Sequence, residues 1–187
     1  DLEFMVTQLD EPLADPASLN VLYISKLAQE QGIKVLLSGS GGDDLFTGYR
    51  RHYAIRLEQY WSWLPYKVRL SIEELSQRLD TQKPFQRRIN KLFNGAGLDS
   101  NDRLINYFRW TSDSLLKTLY SDEFHELLRG SDSSAPMKEF IAPLSSNISQ
   151  LDLMLSLEQR FFLADHNLNY TDKMSMAASL EVRGPFL

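Results

Sequence analysis

The sequence predicts a mostly helical piece of an α/β domain, with one short buried parallel strand near residues 34–38. Two observations support this fold class. First, a capped amphipathic helix, an apolar run and a glycine-rich turn follow one another between residues 15 and 49, an order typical of α/β domains. Second, helical patterns fill most of the remaining chain, which has 187 residues and no cysteine. We therefore expect a hydrophobic core without a disulfide framework.

The α/β unit begins with a helix that Asp15 and Pro16 introduce. Asp15 suits the N-cap, Pro16 suits the first helical position, and Gly32 suits the C-terminal stop. The run IKVLL that follows is apolar apart from Lys34 and is short enough for a buried strand. Parallel strands that are covered on both faces have this composition. We expect the neighbouring strands of the sheet to lie outside this chain.

Charge and composition exclude several classes of partner. The formal net charge is -5, so the chain has no broad basic surface for nucleic acid. No apolar run approaches the roughly 20 residues of a membrane-spanning helix, and we expect no membrane partner. The absence of cysteine fits a reducing compartment. We therefore expect a cytoplasmic protein.

Both ends of the chain predict a piece of a longer protein. The sequence begins without Met at DLEFM, and it stops at EVRGPFL, after a proline and two large apolar residues. Natural termini are usually polar and poorly ordered.

The turn SGSGGDD, residues 38–44, has the composition of a phosphate-binding turn. Ser38 lies at the carboxyl end of the predicted strand, which is where open parallel sheets bind ligands. Gly39 and Gly41 allow backbone N–H groups to approach a ligand, and a helix beginning near Asp43 directs its positive end the same way. Asp43 offers the hard oxygen that Mg²⁺ takes alongside phosphates. The spacing matches neither a Walker P-loop nor GxGxxG, and a plain strand-to-helix turn capped by Asp is the alternative.

A helix that is apolar on most faces is predicted over residues 149–168. Ser149 and Asp152 have the spacing of a capping box at its start. A helix with this pattern is usually buried, so we expect its polar end, Asp165 to Asn167, to emerge at an internal location. A carboxylate there must be paired, hydrogen-bonded or functional, because burying a bare charge is unfavourable.

The last stretch, YTDKMSMAASLEVRGPFL, places charged residues among small residues and methionines. The charged residues are Asp172, Lys173, Glu181 and Arg183. Taken alone, this pattern favours structural ion pairs, either Glu181–Arg183 or Asp172–Arg183.

Taken together, two stretches resemble the glutamine-dependent asparagine synthetases. VLLSGSGGDDLFTGY is similar to the segment in which Ser-Gly, an acid and an Asp-Glu-Leu/Val-Phe-x-Gly-Tyr run close the ATP site. DKMSMAASLEVRGPFL is similar to the signature Asp-Arg/Lys-x-Ser-Met-Ala…Leu-Glu-x-Arg-x-Pro-Phe-Leu. The order of the motifs and the helical stretch between them agree as well. The resemblance implies that residues 1–187 are the central part of a synthetase domain, an α/β nucleotide-binding domain of the PP-loop ATP pyrophosphatase type.

The resemblance also implies a chemistry and a set of site residues. Ser38, Gly39 and Gly41 match positions that bind ATP, and Asp43 matches a Mg²⁺-binding aspartate. Asp165 falls where the family has a catalytic carboxylate facing the reacting acyl group. Family members adenylate a substrate carboxylate with Mg-ATP, and ammonia from a glutaminase domain then displaces AMP. The implied partners are thus ATP, Mg²⁺, a small-molecule acid and glutamine-derived ammonia, and a homodimer is compatible with them.

Three departures from the family pattern affect the expected activity. Ser40 stands where asparagine synthetases have Glu and β-lactam-forming relatives have Tyr, at a catalytic position that faces the acyl substrate. The acceptor is therefore aspartate or another acid, such as a sugar acid in glycan assembly. The Ser-Gly-Gly-x-Asp-Ser pyrophosphate loop and the downstream catalytic lysine are missing, as is the glutaminase domain with its N-terminal cysteine. We expect the isolated chain to be inactive.

Three alternatives to an asparagine synthetase stay open at this point. One is a related enzyme that amidates or cyclises a different acid. The second is a helical binding or scaffold domain that has kept the fold without catalysis. The third is a tRNA-modifying ATP pyrophosphatase, although the acidic charge and the second motif argue against it.

Overall fold

The computed structural model describes residues 1–144 and 148–187, and the chain forms two compact units. The first unit comprises Asp1–Tyr49 and Leu155–Leu187, and the second comprises Arg50–Met154. Within the described ranges, no helix combines the length and the apolar character that crossing a membrane would need.

Helices dominate both units, as the sequence predicts. In chain order the elements are α1 (Leu2–Gln8), α2 (Ala17–Glu30), β1 (Val35–Leu37), α3 (Gly42–Leu45), α4 (Arg50–Leu57), a 3₁₀ turn (Glu58–Tyr60), α5 (Tyr66–Gln77), α6 (Pro84–Phe93), α7 (Ser100–Asn106), α8 (Asp113–Leu119), α9 (Asp122–Leu127), α10 (Ala135–Ile141), α11 (Gln150–Leu157), a π-helical segment (Glu158–Leu168), α12 (Asn169–Ala177) and β2 (Glu181–Arg183).

Helix α2 ends where Gly32 predicts, and it begins one residue later than the predicted N-cap, Asp15, implies. Asp15 Oδ1 accepts a hydrogen bond from the Ala17 amide at 2.9 Å, which satisfies one donor of the first turn. Pro16 is the N-cap, whereas the sequence predicts it as the first helical residue. At the other end Gly32 adopts a φ of +76°, and the amides of Gly32 and Ile33 bond back to carbonyls of the last turn. This arrangement is a Schellman motif, and it directs the chain into β1.

The predicted strand forms, but two expectations about it are wrong. β1 is exposed rather than buried, with Leu37 77% accessible. Its partner strand also lies within the chain, because β2 pairs with β1 in parallel and Leu36 lies opposite Val182. The two strands are the whole sheet in the part of the chain that the structure describes. β1 is exposed because a sheet this small does not supply the covering layers of a buried parallel strand.

The core of the first unit lies between its helices. Met5, Leu22 and Met174 form a buried cluster, which joins α1, α2 and α12. Leu22 and Met174 are fully inaccessible, and burying such a side chain stabilises the fold by roughly 1.5–3 kcal/mol. This packing holds the C-terminal helix against α2.

The helical stretch predicted over residues 149–168 forms, and its cap is confirmed. The Ser149 hydroxyl accepts from the Asp152 amide at 3.1 Å and donates to the Asp152 carboxylate at 2.7 Å. The expectation that this stretch is buried nearly all round is wrong, because Leu157 and Leu163 are buried whereas Asp165 is exposed. The second half is π-helical, a wide helix that is rare and often found at functional sites.

A buried polar cluster organises the second unit. Arg103 Nε donates to Glu58 Oε2 at 2.7 Å, and the Tyr107 hydroxyl donates to Glu58 Oε1 at 2.9 Å. The Arg103 guanidinium also donates to the Leu98 carbonyl at 2.9 Å and lies over the Trp61 ring. Every charge of the cluster thus has a partner, as burial requires.

A second contact in this unit holds a glycine-containing turn, residues 95–97. The two oxygens of Glu73 accept hydrogen bonds from the amides of Gly95 and Gly97, at 2.9 and 2.8 Å. Arg69 donates to the Ala96 carbonyl between them. Helix α5 therefore holds this turn with one acidic and one basic side chain.

Candidate functional site

The glycine-rich turn and the C-terminal signature lie against each other in the first unit. The Ser38 amide donates to the Arg183 carbonyl at 2.8 Å, which extends the β1–β2 ladder into the turn. The Phe46 and Phe186 rings meet edge to face with centroids 5.8 Å apart. The structure thus brings together the two motifs that the sequence singles out.

Gly39 and Gly41 serve the turn in different ways. A Cβ at Gly39 would meet nothing within 4 Å, so the backbone on that side is open to a ligand. Gly41 has a φ of +88° at the N-cap of α3, and a Cβ there would lie 2.7 Å from a methyl group of Leu187. The glycine at 41 is therefore explained by backbone conformation and packing, whereas Gly39 matches the expectation of an open approach.

The hydroxyl groups of Ser38 and Ser40 contact each other. Their oxygens are 2.7 Å apart, and the Ser40 amide donates to the Ser38 oxygen at 3.1 Å. Both residues are half-buried. The Ser40 hydroxyl is thus held against the start of the turn.

Asp43 is exposed on α3, and its carboxylate lies over Gly48. The carboxylate itself takes part in no hydrogen bond or ion pair with the other residues that the structure describes. Within the same described residues, no three His, Asp or Glu side chains are grouped so that they could hold a metal ion. Mg²⁺ that travels with phosphates usually needs only one or two protein carboxylates. A single accessible carboxylate beside an open backbone therefore fits Mg-ATP.

Asp44 has the opposite environment to Asp43. Its side chain is 1% exposed, and it accepts a hydrogen bond from the Tyr49 hydroxyl at 3.3 Å. Asp44 thus faces the interior of the unit, whereas Asp43 faces solvent.

A polar network extends from Asp44 across the first unit. Asn167 Nδ2 donates to the Tyr49 hydroxyl at 3.2 Å, and Asn167 Oδ1 lies 3.0 Å from His166 Nδ1. His166 Nε2 lies 3.3 Å from a carboxylate oxygen of Asp15. We call these five residues the Asp44–Asp15 network. It joins the loop before α2, the helix α3 and the π-helical segment.

Aromatic rings enclose the middle of this network. Phe162 stacks on His166 with centroids 4.8 Å apart, and its edge faces Tyr49 at 5.7 Å. Tyr170 packs against the other side of His166 at 5.3 Å. Burial, and then the negative charges of Asp15 and Asp44, raise the pKa of Tyr170 above its usual range. The network therefore lies in a partly desolvated setting.

The polar end of the long helix, Asp165 to Asn167, was expected to be internal, and the structure places only His166 and Asn167 there. Asp165 is 62% exposed and pairs with Arg160 at 3.4 Å, whereas His166 is only 17% exposed. The expectation that Asp165 lies inside is wrong. No spacing rule in the sequence indicates which residue of the triplet Asp-His-Asn faces inward.

The charged residues of the last stretch form ion pairs. Arg183 pairs with Glu181, as one of the two structural interpretations predicts. Lys173 pairs with Asp10 in the loop between α1 and α2. These contacts account for three of the four charges in the signature.

Comparison with known proteins identifies the family. The family model described as asparagine synthase matches residues 1–187. A putative glutamine-hydrolysing asparagine synthetase of Mycobacterium bovis is 30% identical over 98% of this chain and 26% of its own length. Asparagine synthetase 1 (glutamine-hydrolysing) of Bacillus subtilis is 27% identical over the whole of this chain and 28% of its own length. No solved structure matches the chain.

The extent of these matches defines what the family assignment covers. The chain spans about a quarter of the length of these curated relatives. The match nevertheless includes both motifs that meet around Ser38 and Arg183, and it extends over all of the residues described above. This chain belongs to the asparagine synthase family.

Proposed function

We propose that this chain forms part of the ATP site of an ATP-dependent amidotransferase. In this proposal the enzyme adenylates a substrate carboxylate with Mg-ATP and then amidates it with ammonia derived from glutamine. The observation that carries the proposal is the glycine turn at the carboxyl end of β1, with open backbone at Gly39 and an exposed carboxylate at Asp43. The names of the relatives, glutamine-hydrolysing asparagine synthetases, support the same activity.

In this proposal the turn binds Mg-ATP with backbone groups and with one side chain. Ser38 and Gly39 would approach the nucleotide with main-chain groups, since no side chain fills the space beside Gly39. Asp43 would hold Mg²⁺ with its carboxylate. The metal, when bound, supplies charge stabilisation to phosphate oxygens. Asp165 remains a predicted catalytic residue, and its 62% exposure would let it reach a substrate.

Ser40 is the residue that bears on the identity of the acceptor acid. Ser40 has a hydroxyl where the family has a carboxylate, and this hydroxyl already contacts Ser38 at 2.7 Å. A neutral group at this position favours an acceptor other than aspartate, for example another small carboxylic acid that needs no general base here. Aspartate remains the acceptor that the names of the relatives suggest.

The metal role is tested by replacing each acid of the turn in the full-length protein. Asp43→Asn should leave the fold intact and nearly abolish pyrophosphate release at saturating Mg-ATP, because hard cations prefer a charged oxygen. If Asp43 were only a helix cap, the change to Asn would cost at most about 1 kcal/mol in stability and activity would persist. Asp44→Asn, which keeps an acceptor for Tyr49, should have a milder effect. Thermal melting of both variants controls for folding, and near wild-type activity of Asp43→Asn would refute the metal role.

The acceptor is tested at Ser40. Ser40→Glu should raise aspartate-dependent pyrophosphate release if a missing carboxylate limits the reaction with aspartate. Ser40→Ala is the matched control, because it removes the hydroxyl without adding a charge. Robust aspartate activity in the wild type, unchanged in Ser40→Glu, would show that this position does not select the acid.

A further inference from the structure

The Tyr49 hydroxyl joins the two ends of the first half of the Asp44–Asp15 network. It donates to one carboxylate oxygen of Asp44 and accepts from Asn167. The Asn167 oxygen is left to face the His166 ring at 3.0 Å. Hydrogen bonds in a partly buried setting are strengthened by the low local dielectric, so this path resists displacement.

The near end of the network holds a helix that has little stability of its own. α3 has four residues, far fewer than an isolated helix needs. On α3 the side chain of Asp44 is buried, and the side chain of Asp43, one residue earlier, is exposed. Successive residues of a helix are separated by roughly 100° of rotation, so holding Asp44 also determines the direction of Asp43.

The far end of the network is anchored in packed structure. His166 packs against the Phe162 and Tyr170 rings. It also lies 3.3 Å from Asp15, whose carboxylate accepts from the first-turn amide of α2. Leu163, in the same π-helical segment as His166, is buried. The network therefore ties the short α3 to helices that have a hydrophobic core.

We infer that Asn167 and His166 are positioning residues for the glycine turn. They act through Tyr49 and Asp44, and they hold α3 so that the Asp43 carboxylate faces the nucleotide side of the turn. This inference rests on the proposed function for its consequence in catalysis, although the holding of α3 does not depend on it. Neither residue needs to touch the substrate.

The inference has a kinetic signature. If α3 loses its anchor, only a fraction of the protein has the turn in its binding-competent form, and the apparent affinity for Mg-ATP falls by that fraction. Bound Mg-ATP restores the turn, so the rate at saturation is preserved. A general loss of folding or of a catalytic group would instead lower kcat.

The experiment uses two variants of the full-length protein that break the same path. Asn167→Asp keeps the shape but removes the donor to Tyr49, and Tyr49→Phe keeps the ring against Phe162 but removes the hydroxyl. Asn101→Asp, exposed on α7, and Tyr23→Phe, exposed on α2, are the matched controls. Amide hydrogen exchange of residues 42–46 without nucleotide is measured first, followed by KM for Mg-ATP and kcat of pyrophosphate release.

The expected result is a matched change in both network variants. Exchange at residues 42–46 should accelerate by about tenfold, and KM for Mg-ATP should rise by about five- to tenfold with kcat within about twofold of wild type. The double variant should be no worse than either single variant, since both break one path. Unchanged exchange at residues 42–46, or a fall in kcat at constant KM, would overturn the inference. If the wild type releases no pyrophosphate, the proposed function fails, and the exchange measurement alone decides whether the network holds α3.

Discussion

The carboxylate of Asp43 occupies the space beside the Cα of Gly48, so that a Cβ at residue 48 would overlap it. The Gly48 amide also donates to the Asp43 carbonyl at 3.0 Å. We predict that Gly48→Ala displaces the Asp43 side chain and lowers Mg-ATP-dependent pyrophosphate release by at least about tenfold, the scale of one misplaced ligand at a reacting site. The measurement is pyrophosphate release by the full-length protein over a range of Mg-ATP concentrations.

Two controls separate this displacement from a loss of folding. In an Asp43→Asn background, Gly48→Ala should cause little further loss, because the group that it displaces is already neutral. Gly42→Ala meets Phe186 only at an ordinary contact distance of 3.6 Å, so it should shift thermal melting less than Gly48→Ala does. Wild-type activity in Gly48→Ala would contradict the prediction.

Thr47, in the connection between α3 and α4, has a strained backbone. It has a φ of +62°, a left-handed conformation that is unusual for a β-branched residue. Asn tolerates this conformation better, so Thr47→Asn should raise the free energy of unfolding by roughly 0.5–1 kcal/mol. Ser179, with a φ of +54°, is the matched control, because Ser179→Asn lacks the relief of a β-branched side chain and should gain less. A lower melting temperature in Thr47→Asn would show that its conformation is stabilised in another way.

The Glu58–Arg103 pair should be sensitive to the loss of either partner. The side chains of Arg103 and Glu58 are 5% and 7% exposed. Glu58→Ala would leave the Arg103 charge buried without its carboxylate, and we expect a loss of about 3–5 kcal/mol in the free energy of unfolding. Glu126→Ala breaks the exposed pair with Arg129, whose side chains are 64% and 75% exposed, and should have little effect. Urea unfolding of both variants measures the difference, and equal losses would argue against a special role for burial.

Tyr107 should make the stability of the fold depend on alkaline pH. Burial, followed by the charge of Glu58 and the hydrogen bond to it, raises the pKa of the Tyr107 hydroxyl well above its ordinary value of 10.0. A group whose pKa is higher in the folded state contributes stability that is fully present below its unfolded pKa and is lost as pH rises through the folded pKa. We therefore expect the free energy of unfolding to fall as pH rises above 10.0.

Tyr107→Phe tests the assignment of this pH dependence. The variant should be less stable at neutral pH, because Glu58 loses a donor, but its stability should decline less steeply at alkaline pH. Urea unfolding at a series of pH values gives the slope for each protein. Identical slopes in the wild type and the variant would assign the alkaline loss to other groups.

Local rules in the sequence determined the helices, the strand and the identity of the two motifs. Asp15 and Gly32 predict the ends of α2 because capping depends on hydrogen bonds within a few residues. The strand at Val35–Leu37 follows from a short apolar run between a helix stop and a glycine turn. The resemblance of the two motifs to asparagine synthetases is likewise a property of the sequence, and the family comparison confirms it.

Tertiary structure alone decided how these parts meet. The pairing of β1 with β2 depends on contacts between residues that are distant in the chain. The charged residues of the last stretch did not predict a strand there. The exposure of Leu37 depends on how many strands and helices cover it, which an apolar run does not specify. Which of Asp165, His166 and Asn167 faces inward depends on the phase of the helix. The wide π-helical turn changes that phase from the α-helical period on which sequence patterns rest. Asp165 therefore lies outside, although all three residues were expected inside, and its two neighbours form the network.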